Sequence, residues 1–94
     1  MKIPKKLKIG GQIYRVIERD RNEKDGTDNL ATSKPYRNKI WIDNSQPQSQ
    51  KESTFLHEII EIINSLYKLE FKESDICTLE TALYQVLKDN KLLA

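Results

Sequence analysis

The sequence predicts an α+β domain, with a small N-terminal antiparallel sheet followed by two packed helices. Three observations carry that expectation. The first half alternates apolar and polar residues, as strands with one buried face do. The second half repeats its apolar residues at helical spacing over two separate runs. A chain of 94 residues has room for one small core, so residues 1–94 are read as a single domain.

"KLKIGGQIYRVIER" alternates around Leu7, Ile9, Ile13, Val16 and Ile17, with Gly10-Gly11 between two extended segments. A hairpin turning at the glycine pair is the direct reading. Residues Asp20 to Asp28 are polar and contain Gly26, which marks an exposed loop. "RNKIWID" is a further strand, and "DNLATS" is its short partner across a turn at Pro35. The helical half begins after Pro47, where Ser49 and Glu52 form an S-x-x-E capping box. From there to Leu69 the apolar residues cover about half the circumference at about 100° per residue. The Ile59, Ile62, Ile63 and Leu66 face is expected to meet the sheet. Ser74 is the expected N-cap of a second helix through Asn90, whose Ile76, Leu79, Leu83, Val86 and Leu87 should close the core.

Composition narrows the function classes. Sixteen basic and fourteen acidic residues leave a net charge of +2. Such balance makes nucleic acid an unexpected partner, because neutralising several phosphates takes clustered cations in excess of nearby acids. Lys2, Lys5, Lys6 and Lys8 cluster, and are read as a solvated strand face. Cys77 is the single cysteine, so an intrachain disulfide is ruled out and a reducing, cytoplasmic compartment is expected. No apolar run is long enough for a membrane span, so no membrane partner is expected.

Chemistry concentrates in "FLHEIIEIIN", residues Phe55 to Asn64. His57 and Glu61 are four residues apart, so on a helix they stack on one face and can reach one ion. Glu58 is displaced by one residue, which suits a base pointing at a ligand held by the other two. This is the mechanical logic of H-E-x-x-H, where two histidines hold zinc and the glutamate is the general base. Here Glu61 stands where the second histidine would be. A carboxylate is a legitimate zinc ligand, but its charge makes the site less selective. The same spacing also describes the solvent strip of a half-buried helix, and spacing alone leaves both readings open.

"KIPKKLKIGGQIYRV", "KIWIDNSQPQSQKESTFLHEIIE" and "LYQVLKDN" resemble, in that order, the small zincin-like proteins of phages and prophages. The resemblance implies a minimal metallopeptidase-like fold in the host cytoplasm, with zinc as the cofactor. It implies His57 and Glu61 as metal ligands, Glu58 as the catalytic base, and a third ligand from the closing helix at Cys77 or Glu80. It further implies a peptide or amide substrate, with activity weak or absent because the motif is H-E-x-x-E. Tyr67 and Tyr84 are candidate hydrogen-bond donors. The competing expectation is a non-enzymatic phage module that inhibits a host protein, such as a defence component. Its contact surfaces would be the Asp20–Asp28 loop and the strand edge near Trp41.

Overall fold

A computed structural model of the chain describes residues 1–20, 31–34 and 38–93. Four strands precede two helices: β1 (Lys6–Ile9), β2 (Gln12–Arg19), β3 (Ala31–Lys34), β4 (Lys39–Asp43), α1 (Gln48–Tyr67) and α2 (Glu73–Asp89). The α+β arrangement of a sheet followed by two helices is as expected. Residues 21–28 of the expected loop, and the Pro35 turn, lie outside the described residues.

The glycine pair makes the first turn. Gly10 and Gly11 have φ of 57° and 83°, both in the region that favours glycine in a two-residue hairpin. Ile9 then pairs with Gln12, and Lys6 with Arg15. A Cβ at Gly10 would also lie 2.9 Å from Leu66 Cδ1, so the glycine lets the end of α1 approach the hairpin.

Strand order is β1-β2-β4-β3, and this corrects one pairing. β1/β2 and β3/β4 are antiparallel, but β2 and β4 run parallel, with Val16 opposite Ile40 and Ile17 opposite Trp41. The cause is topological. β3 supplies a second reversal and then lies on the outer edge of β4, so β4 returns in the direction of β2 and is its neighbour.

One sheet face is covered by α1. Its core comprises Ile3, Ile9, Tyr14, Val16, Ile40, Ile42, Phe55 and Ile62, with Met1, Leu7, Ile59 and Ile63 packed against it. Tyr14, Ile40, Ile42 and Ile62 are effectively sealed from water. The phase of β2 differs from expectation, since Tyr14 points inward while Ile13 is 58% exposed. Leu66 is likewise exposed at 39%, because by the last turn α1 has passed the sheet's packed centre.

The expected caps are also corrected. α1 starts at Gln48 after Pro47, with no side-chain cap bond. α2 is capped from Lys72, whose N–H donates to Asp75 at 2.9 Å, so Ser74 lies within the helix. α2 packs on α1 and leaves Leu83 and Val86 exposed, whereas the sequence assigned both to the core. Two buried isoleucines, Ile60 on α1 and Ile76 on α2, lie outside the sheet-side cluster.

Glu52, freed from capping, ties the two helices together. Its buried carboxylate accepts from Tyr84 Oη at 2.7 Å, Gln48 Nε2 at 3.2 Å and the Met1 amine at 3.3 Å. Burial alone would raise its pKa; the bonds from Tyr84, Gln48 and the ammonium outweigh this and hold it below its usual value of 4.5. Because the folded value is depressed, this stabilisation is present above about pH 4.5 and is lost as pH falls through the folded value. Tyr84→Phe is therefore expected to cost about 1.5–3 kcal/mol at neutral pH, as loss of a bond to a charged group. The cost should shrink once Glu52 is protonated in both states. Urea unfolding of both chains from about pH 7 down through the acid range checks this; a cost that never falls with pH would show that the charge of Glu52 is not involved.

Candidate metal centre

His57 projects from the middle of α1 toward α2, and its side chain is only 15% exposed. Both ring nitrogens meet carboxylates. Nδ1 lies 2.8 Å from Glu80 Oε1. Nε2 lies 3.0 Å from Glu73 Oε1 and 3.5 Å from Glu61 Oε1. Glu61 arrives by the i, i+4 spacing on the same helix, while Glu73 and Glu80 come from α2.

Glu80 is positioned from both sides, since the Ser53 hydroxyl donates to its other oxygen. Cys77 is exposed, and its Sγ lies 3.9 Å from Glu73 Oε1. Glu58 is 5% exposed. Two sets of donor atoms therefore share the imidazole. His57, Glu73 and Cys77 form one, and His57, Glu58 and Glu61 the other; within each, the donor atoms lie within 4.8 Å of one another.

Every metal-ligand or base candidate that the sequence nominated is in this neighbourhood. His57, Glu58, Glu61, Cys77 and Glu80 are brought together where α1 packs on α2. Glu73 was missed. Its signal was present, because Glu73, Cys77 and Glu80 stand at i, i+4 and i+7 and share one stripe of α2. Of the tyrosines, Tyr84 donates to Glu52 and not to the His57 cluster, and Tyr67 is 59% exposed.

Electrostatics favour a cation here. Burial pulls the His57 pKa down, but the bond to Glu80 and the charges of Glu61, Glu58 and Glu73 pull harder, so it is raised above 6.5. Slight desolvation, then the charges of Glu73, Glu80 and Glu61, push the Cys77 thiol up, which keeps it protonated until something positive arrives.

The donor types are ones that zinc accepts: an imidazole nitrogen, carboxylate oxygens and a thiol. Ligands at about 2.0–2.3 Å around a tetrahedral ion stand roughly 3.3–3.8 Å apart. The Nε2 separation of 3.5 Å to Glu61 is on that scale, and the 3.0 Å to Glu73 is a hydrogen-bond contact that would open slightly around an ion. Glu80 on Nδ1 is the carboxylate–histidine arrangement that fixes a ligand's tautomer and orientation. Compared with protein-family models, curated proteins and solved structures, the chain matches none. Among the described residues, no helix is long and apolar enough to cross a membrane.

Proposed function

We propose that the chain is a zinc-binding protein of the zincin-like kind, working in the cytoplasm of a phage host, with peptidase activity weak or absent. The observation that supports this best is the His57 ring, held by carboxylates at both nitrogens between two helices. In this reading Nε2 of His57, Glu73 and Cys77 hold the ion. Glu61, near the same nitrogen, is the fourth donor, and Glu80 orients the ring through Nδ1. This assigns Glu80 the positioning role and adds Glu73 to the ligands that the resemblance implied.

Four protein donors close a tetrahedral site, so bound zinc would supply Lewis acidity toward a peptide carbonyl only where one of them gives up its position. Glu58 is the group beside His57 that would take up a proton, but its burial sets it away from open water. The four carboxylates around His57 oppose further build-up of negative charge, which a hydrolytic transition state requires. These residues therefore favour retaining a cation over turning over a peptide. The exposed Leu83 and Val86 on α2 favour a second reading, a non-enzymatic module that docks a host protein through this helix.

Zinc loading tests the metal reading. A ligand at about 100 times its Kd stabilises by about 2.7 kcal/mol, which for a chain of this size is a rise in melting temperature of roughly 10–20 °C. The chelator-stripped protein should show that rise with zinc and none with magnesium. An unchanged melting temperature in saturating zinc rejects the proposal.

A further inference from the structure

The near-neutral net charge conceals a segregation. α1 covers the sheet face bearing Tyr14, Val16, Ile40 and Ile42. By the two-residue alternation, Ile13, Arg15, Ile17 and Arg19 of β2 and Lys39 and Trp41 of β4 belong to the opposite face. Register adds Lys6 and Lys8 of β1, opposite Arg15 and Ile13. By the same alternation Asp43 of β4 shares this face, opposite Arg19 in the register and at the far end from Lys39. Glu18 pairs with Lys51 of α1 at 2.8 Å, Asp43 is buried and accepts from Ser45, and the His57 cluster lies between the helices.

Within this face, Lys6, Arg15 and Lys39 stand directly opposite one another on three adjacent strands. The register continues to Lys34 on β3. Neighbouring strands are about 4.8 Å apart, and like charges directly opposite across strands are destabilising. Lys6 and Arg15 are exposed and Lys39 half-buried, and none of the three forms an ion pair among the described residues. The row thus lowers stability in the free protein and gains most from a polyanion. Further along the same face, the Arg19 guanidinium lies 4.4 Å from the Trp41 ring centroid, and Ile13 is 58% exposed. Bases stack on guanidinium planes as well as on aromatic rings.

We propose that the sheet face opposite α1 binds single-stranded nucleic acid, with the cross-strand row Lys6–Arg15–Lys39 on the phosphates and the Arg19–Trp41 stack against a base. Cations beside a stacking platform suit an unpaired strand, whose bases are free to lie down on it. The face presents no helix or ribbon for the major groove of a duplex. The proposal is independent of the metal site.

The test is fluorescence anisotropy of a labelled oligothymidylate with the full chain. Three phosphate contacts give a salt slope of about −2, so raising salt from about 50 to about 200 mM should weaken binding roughly fifteenfold. Lys6→Gln/Arg15→Gln/Lys39→Gln should weaken it at least about tenfold at the lower salt, and should melt no lower than the native chain because it removes a repulsion. Lys68→Gln/Lys72→Gln/Lys91→Gln, removing cations from the helical half, should bind like the native chain. No binding, equal loss in both triple variants, tighter binding to duplex, or binding to anionic vesicles instead of the oligonucleotide would each overturn the proposal.

Discussion

Ile62→Ala is expected to destabilise the fold by about 2–5 kcal/mol, the range for truncating a sealed core isoleucine. Ile62 is 0% exposed and is the α1 residue set deepest against Ile40 and Ile42, which are themselves sealed. Relaxation is restricted there, because β2 and β4 are the central strands and each is hydrogen-bonded on both sides. A domain of this size has only about 5–15 kcal/mol in total, so the variant should lose a large share of it and melt at least roughly 10 °C lower. Ile63→Ala, at the partly buried edge of the same cluster, should cost less. Denaturant melts of the two variants check the order. A loss below about 0.5 kcal/mol for Ile62→Ala would mean that α1 does not pack on the sheet through this face.

His57→Ala is expected to lower zinc affinity by more than about 100-fold, since changing a residue that only orients a ligand already costs about 10–100-fold. Glu80→Gln tests that gradation. It keeps the shape of the side chain but removes the charge that holds Nδ1–H, so its cost should fall in the 10–100-fold range and stay below that of His57→Ala. Glu61→His moves the motif back to H-E-x-x-H and exchanges an anionic donor for a neutral one, so it should raise zinc affinity and selectivity. Equal affinities across these chains would mean that zinc binds elsewhere.

Local signals were legible in the sequence. The glycine pair specified the hairpin, and the two runs of helical period specified α1 and α2, because turn chemistry and amphipathicity act over a few residues. Long-range choices were not. That β4 lies beside β2 follows from where β3 settles, and no residue near Trp41 encodes it. Ser49 and Glu52 have the letters of a capping box, yet Glu52 accepts from Tyr84 across the helix interface, a tertiary bond that competes with local capping. Leu83 and Val86 keep helical spacing with Ile76, but α2 packs mainly on α1, which buries Ile76 and leaves Leu83 and Val86 exposed. The site shows the same division. His57, Glu58 and Glu61 are readable within one helix, and Cys77 and Glu80 entered through the resemblance. Glu73 shares the Cys77/Glu80 stripe of α2, but that its carboxylate meets Nε2 is set by the packing of α2 on α1.

The central claim is that a zinc ion bridges the two helices at His57, and zinc affinity by chelator competition tests it most directly. The native chain is compared with Glu73→Gln, Cys77→Ser and His57→Ala, each stripped of metal beforehand. The account predicts one zinc per chain in the native protein, clear weakening in Glu73→Gln and Cys77→Ser, and the largest loss in His57→Ala. Native affinity in both α2 variants, with loss only in His57→Ala and in a Glu61→Gln chain, would confine the ion to α1 and contradict the bridge.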